Sequence, residues 1–198
     1  MGKEIEIRNK LLSKKEVLDF FNKNGITPSV LKHQIDTYYD NPEDSLFKDP
    51  DNINTWIRIR EENGKLIFTY KHWLPENTEI KTYCEEKEYT MDTKQELHKH
   101  LKELGLDGNN FVPFIVTDKI RQCFNYKDCE ISIDTVKGLG DYIEIEYKGK
   151  NDDNVDKVRT FLNYVLVEIN AKVGPADQKG YAYQIFKMQR NQNIASKK

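Results

Sequence analysis

The sequence predicts an α+β protein: about eight strands in an antiparallel sheet, enough to close into a β-barrel, and three main helices. Three observations predict it. Short stretches alternate apolar and charged residues with a period of two, the pattern of a strand with one buried face. The links between them are short and turn-like, which favours antiparallel neighbours, and eight strands suffice for closure. Three further stretches place apolar residues at helical spacing. With 198 residues the chain can hold one domain with a core, read as 1–190, followed by a polar tail at 191–198.

The elements follow in order. Residues 3–9 alternate Glu4, Glu6 and Arg8 with Ile5 and Ile7. Ser13-Lys-Lys-Glu16 reads as a capping box, and Val17, Leu18, Phe20 and Phe21 form the stripe of a helix stopped by Gly25. Val30 to Asp40 is extended, with Gln34, Asp36, Tyr38 and Asp40 in phase, and a loop rich in Asp, Asn and Pro follows. Thr55 to Arg60 sets Ile57 and Ile59 against Trp56, Arg58 and Arg60. Asn63-Gly64 marks a hairpin turn, and Leu66 to Trp73 returns with Thr69 and Lys71 in phase. Residues 80–91 form a strand carrying Cys84, Glu86, Glu88 and Thr90 on one face. Thr93-Lys-Gln-Glu96 opens a second helix with Leu97, Leu101 and Leu104 as its stripe; His98 and His100 fall on its exposed side. Residues 111–125 make a long strand interrupted near Pro113, with Lys119, Arg121 and Cys123 in phase. Cys129 to Val136 opposes Ser132 and Asp134 to Ile131 and Ile133. After Gly138-Leu-Gly140, Tyr142, Glu144, Glu146 and Lys148 alternate with Ile143, Ile145 and Tyr147. A long helix starts at Asp152 and Asp153 and ends at Gly174-Pro175, and Tyr181 to Met188 forms a last short one.

Composition narrows the partners. Hydrophobic content is 37% and charged content 32%, and no run reaches the ~18–20 apolar residues of a membrane span, so no membrane partner is expected. The charged stretch from Lys3 lacks the apolar core of a signal peptide, and Cys84, Cys123 and Cys129 form no CxxC pair. A cytoplasmic location follows as the expectation. A net charge of −2 (31 basic, 33 acidic) does not favour nucleic acid.

The charges segregate by strand. Acids stand at 4/6, 86/88 and 144/146; bases stand at 58/60 and 119/121. A solvated sheet face accounts for any one pair. Together they are harder to dismiss, and a shared interior stands beside the solvated face as the second reading. Two carboxylates two residues apart lie about 7 Å apart along a strand and repel unless a cation or basic side chains sit between them. Such rows would offer oxygen ligands to a divalent cation and a guanidinium row to phosphate oxygens. Lining a dry barrel with them would be costly, so a hydrated bore for a polyanion is expected. The sequence carries no P-loop, no GxGxxG and no nucleophile motif.

These stretches resemble one known family. Glu4-Ile-Glu-Ile-Arg8 is similar to the ExExK hallmark of the CYTH superfamily, or triphosphate tunnel metalloenzymes, with Arg8 where the family has Lys. The superfamily includes class IV adenylyl cyclases, thiamine triphosphatases and inorganic triphosphatases. Gln34-Ile-Asp-Thr-Tyr-Tyr-Asp40, Ile57-Arg-Ile-Arg60, Thr69-Tyr-Lys71, Glu86-Lys-Glu88, Lys119-Ile-Arg121 and the run from Asp134 to Glu146 resemble its further strands in order, over roughly residues 3–186. The resemblance implies a closed eight-stranded tunnel, Mg²⁺ or Mn²⁺ as cofactor, and a small triphosphate as substrate: ATP, thiamine triphosphate or tripolyphosphate. It implies Glu4, Glu6, Glu144 and Glu146 as metal ligands, and Arg8, Arg58, Arg60, Lys71, Lys119 and Arg121 as the triphosphate cradle. Glu4, Glu6, Arg8 and Lys71 would be the catalytic set. Asp36, Glu86, Glu88 and Asp134 would support it, by orienting basic side chains or holding a second metal. Hydrolysis is the favoured outcome, since it needs no base-specific pocket. Cyclisation of ATP is the close alternative, because Gln34 to Pro42 looks like class IV cyclases; a non-catalytic polyphosphate-binding module is a third. Class IV relatives are often dimers, so the resemblance allows a homodimer, although no exposed apolar patch is legible.

Overall fold

The computed structural model describes residues 2–48, 53–74, 83–150, 153–177 and 179–195. Among these the strands are β1 (Gly2–Glu4), β2 (Glu6–Ser13), β3 (Val30–Asp40), β4 (Thr55–Glu62), β5 (Lys65–Leu74), β6 (Tyr83–Met91), β7 (Val112–Tyr126), β8 (Cys129–Val136), β9 (Gly140–Tyr147) and β10 (Lys172–Ala176). The helices are α1 (Lys15–Lys23), α2 (Leu97–Glu103), α3 (Val155–Glu168) and α4 (Gly180–Ala195). Residues 80–82 of the expected sixth strand lie outside the described residues.

All strands join one antiparallel sheet in the order β1-β6-β5-β4-β3-β7-β8-β9-β2-β10. This corrects the expected closed ring of eight: the ladder has ten strands and an open order. Two features explain the difference. The N-terminal strand is interrupted at Ile5, so β1 pairs with β6 while β2 pairs with β9 and β10. Gly174-Pro175 does not end a helix but lies within β10. That strand is at the edge of the order, where a proline deprives no ladder of a needed donor. Helix α3 ends earlier, at Glu168, with Asn170 in the left-handed region at φ 57°. Helix α4 runs to Ala195, through the expected boundary at 190.

Period-two alternation separates two faces. On the outer face Ile5, Ile7, Ile131, Ile133, Ile143 and Ile145 pack under Val17 and Phe21 of α1 and Val158, Leu162 and Val165 of α3. Ile57, Ile59 and Phe68 pack against Leu97 and Leu101 of α2. Burying each such side chain stabilises by roughly 1.5–3 kcal/mol. The Asn63-Gly64 turn has φ of 51° and 75°, the positive pair a tight hairpin between right-twisted strands requires.

Three local expectations change. Ser13 does not cap α1: it ends β2, Lys14 takes the cap position, and Glu16 pairs with Lys172 at 2.6 Å. The second capping motif does form, with Glu96 accepting from the Thr93 and Asp92 amides at 2.9 Å each. His100 is buried, not exposed, because it lies three residues after Leu97 and so on the same helix face. Its ring stacks 4.6 Å from Tyr89 and 5.3 Å from Phe68. Between the helix layers, β3 and β7 leave Leu31, Val116 and Ile120 exposed, an apolar row the sequence did not reveal. No helix of the described residues is long and apolar enough to cross a membrane.

Candidate functional site: a charged cavity on the inner face

The opposite phase of the same strands lines a cavity of about 280 Å³. Its wall contains Glu6 and Arg8 (β2), Gln34, Asp36 and Tyr38 (β3), and Trp56, Arg58 and Arg60 (β4). It continues through Thr69, Lys71 and Trp73 (β5), Glu86 and Glu88 (β6), Lys119 and Arg121 (β7), and Glu144 and Glu146 (β9). Six of the predicted phosphate-binding cations and three of the four predicted metal ligands are therefore brought together. The backbone of the fourth, Glu4, pairs with Cys84 in β1; its side chain lies outside what the structure describes.

Register turns segregated charges into neighbours. Asp36 stands opposite Arg60, Arg121 opposite Asp134, Arg8 opposite Glu144 and Lys71 opposite Glu86. Asp36 accepts from Arg60 Nε and Nη2 at 2.7 and 2.9 Å, and from Arg58 Nη1 at 3.5 Å. Arg58 also donates to Thr69 Oγ1 at 2.9 Å, and that hydroxyl donates to Glu88 at 3.0 Å. Lys71 meets Glu86 at 3.3 Å.

Asp134 lies beneath the lining, fully buried. It accepts from Arg121 Nε and Nη2 at 2.7 Å each, from Lys119 Nζ at 3.1 Å and from the Tyr181 hydroxyl at 2.9 Å. Glu144 accepts from Arg8 Nε and Arg121 Nη2, both at 2.8 Å, one on each oxygen. Arg8 Nη2 also donates to Glu6 at 2.7 Å.

The titration behaviour follows from this packing. Burial alone would raise the Asp36 and Glu144 carboxyls, but the guanidinium groups around them outweigh it and hold both well below the ordinary range. Arg8 and Arg121 move up despite burial, because Glu6, Glu144 and Asp134 surround them. Lys119 goes the other way. Burial, aided by Arg121, pulls its ammonium down to about 8 although Asp134 opposes the shift.

The CYTH domain family model matches residues 2–181. The chain belongs to the CYTH family. A Methanocaldococcus jannaschii protein with a provisional adenylate cyclase name is 32% identical over 178 residues, 90% of this chain and 95% of that protein. A structure from Pyrococcus horikoshii OT3 superposes with a TM-score of 0.70 at 22% identity, covering 93% of this chain and 99% of its own. A Hippeastrum structure, described as an adenylyl cyclase homologue revealing a dominant triphosphatase activity, superposes at 0.64 with 19% identity, covering 96% of each chain. These two superpositions establish a shared fold.

In this CYTH chain the divalent cation of the resemblance can be tested against the donors present. Among the described residues no three metal-ligating side chains converge as a ready cage. Glu6 and Glu146 are nonetheless direct cross-strand partners, met by Arg8 at 2.7 Å and Lys148 at 2.6 Å, and together offer two carboxylates to a cation. Mg²⁺ commonly takes one or two carboxylates and completes its shell with water and phosphate. Nine basic and seven acidic side chains line the cavity, an excess of two positive charges that a triphosphate exceeds. Hard oxygen donors and a remaining need for positive charge both fit such an ion.

Six lining residues escaped the sequence reading: Lys32 of β3, Glu130 of β8, and a group of four, Lys179, Gly180, Tyr181 and Ala182, around the start of α4. The periodicity of that group marked only a terminal helix. The one available signal was that Tyr181 falls within a stretch resembling the family.

Proposed function

We propose that the chain is a divalent-metal-dependent triphosphatase, holding a nucleoside, thiamine or inorganic triphosphate in the inner cavity and hydrolysing its terminal phosphate. The observation that carries this is the convergence of Arg8, Arg58, Arg60, Lys71, Lys119 and Arg121 on one 280 Å³ cavity that also presents Glu6, Glu144 and Glu146. The description of the Hippeastrum homologue supports it. We read the sheet as the wall of a tunnel. Support comes from β1, at one end of the ladder, and β2, next to the other end, being separated in the chain by Ile5 alone.

Each residue has a role that follows from its contacts. The six cations bind phosphate oxygens, the guanidinium groups in forked pairs. Asp36 and Asp134 fix the forks of Arg60 and Arg121 in advance, so little ordering remains on binding. Glu6, Glu144 and Glu146, with Glu4, would hold Mg²⁺ or Mn²⁺. When bound, that ion supplies Lewis acidity to the phosphate oxygens. Glu144 now spends both oxygens on Arg8 and Arg121. Phosphate oxygens that draw Arg8 away free one Glu144 oxygen as a ligand, so anion and cation binding reinforce each other.

Cyclisation of ATP is the second reading, favoured by the name of the Methanocaldococcus jannaschii relative. The cavity also has an aromatic end, Tyr38, Trp56 and Trp73, suited to an organic ring. Phosphorus NMR of ATP and of tripolyphosphate incubated with the protein in Mg²⁺ or Mn²⁺ separates the readings. Orthophosphate supports hydrolysis, cyclic AMP with pyrophosphate replaces it with cyclisation, and tight binding without turnover leaves a polyphosphate-binding module.

A further inference from the structure

Tyr181 sits where α4 meets the cavity, 5% exposed. Arg8 lies over its ring, guanidinium carbon 5.0 Å from the centroid, and so does Lys119, ammonium nitrogen 5.0 Å away. Its hydroxyl donates to Asp134, the carboxylate that also anchors Lys119 and Arg121. Tyr142 braces the ring edge-on at 4.9 Å. The start of α4 is tied to the same place. The Asp177 amide donates to the Arg8 carbonyl at 2.7 Å, and Asp177 Oδ1 accepts from the Gly180 amide at 3.0 Å. Gly180 adopts φ of 84°, and a Cβ there would come within 3.2 Å of Arg8 Nη1. Glycine is what lets the helix begin against that guanidinium.

We propose that Tyr181 is a positioning residue: its ring and hydroxyl together set Arg8 and Lys119 in the orientation that receives phosphate. The inference rests on the triphosphate reading and extends it to a helix outside the sheet. The physical argument has two parts. Arg8 and Lys119 carry like charge, and each is held on one side by carboxylates, Glu6 and Glu144 for Arg8 and Asp134 for Lys119. An aromatic face attracts both cations without neutralising either, so it supports them while leaving their charge for an anion. The hydroxyl occupies part of Asp134, which limits how far that carboxylate draws Lys119 away from the cavity.

The test is calorimetric titration of tripolyphosphate into the metal-free full chain. The variants are Tyr181→Phe, Tyr181→Leu, Lys119→Ala, and Lys119→Ala combined with Tyr181→Leu. Far-UV circular dichroism confirms that each is folded, and Tyr181→Phe, which deletes one oxygen, serves if the leucine variant does not fold. Wild type is expected to bind. Tyr181→Phe should weaken binding about threefold and Tyr181→Leu about tenfold. The leucine substitution should cost less once Lys119 is gone, because part of its effect passes through that lysine. A merely structural role predicts the same factor in both backgrounds. That result, or wild-type affinity in both Tyr181 variants, overturns the inference. Absence of binding by wild type overturns the triphosphate reading itself, and the inference with it.

Discussion

Lys119 shows most clearly how packing sets chemistry at single positions. Its ammonium titrates near 8 because burial and Arg121 disfavour the charge. A bound polyanion favours that charge and raises the lysine's pKa. Between about 8 and the raised value the complex holds a proton that the free protein lacks, so affinity must fall as pH rises through this window. One unit of pKa is a factor of ten, so tripolyphosphate affinity should drop about tenfold per pH unit above 8. Lys119→Arg should flatten the profile, because a guanidinium does not titrate there. Titrations at pH 7, 8 and 9 check both. A second expectation concerns Asp36, 1% exposed. Arg60→Ala removes its two short hydrogen bonds and leaves Arg58 at 3.5 Å. Stranding a buried carboxylate in this way costs about 3–5 kcal/mol, measurable as a lower urea midpoint.

Between whole strands and helices, the two faces of the sheet are energetically separable. Leu162 of α3 is fully buried in the outer core and is not among the residues lining the cavity. Leu162→Ala should lower stability by about 2–5 kcal/mol while leaving tripolyphosphate affinity unchanged; chemical denaturation and calorimetry read the two effects. The same separation explains what was legible in advance. Phase is local, so the face that carries Glu6, Asp36, Arg58, Lys119 and Glu144, opposite the isoleucines, followed from alternation. Register is not local. That Arg8 would face Glu144, and Arg121 face Asp134, depends on which strands become neighbours, and each strand alone showed only its own sign. Strand β10 was hidden for a related reason: Gly174-Pro175 is a breaker by itself and tolerable only at an edge. Tyr181 was hidden because its charged partners are remote in sequence, Asp134 at 47 residues and Lys119 and Arg8 further still.

For the molecule as a whole, isoleucines and two helix layers hold the outside of a curved wall whose inside is ionic. So many buried charges are tolerable because nearly every guanidinium meets a carboxylate; the same pairing keeps them oriented for a ligand. On the proposed function, such a cavity gains stability when an anion of matching length enters. A ligand at a hundred times its Kd contributes about 2.7 kcal/mol to the folded state. For a chain of this size that corresponds to roughly 5–11 °C in Tm. The direct measurement is a thermal denaturation series with tripolyphosphate and, at equal ionic strength, orthophosphate. The account predicts a rise of that order for tripolyphosphate, little for orthophosphate, and a reduced rise in Lys71→Ala. A Tm that saturating tripolyphosphate does not move would contradict it.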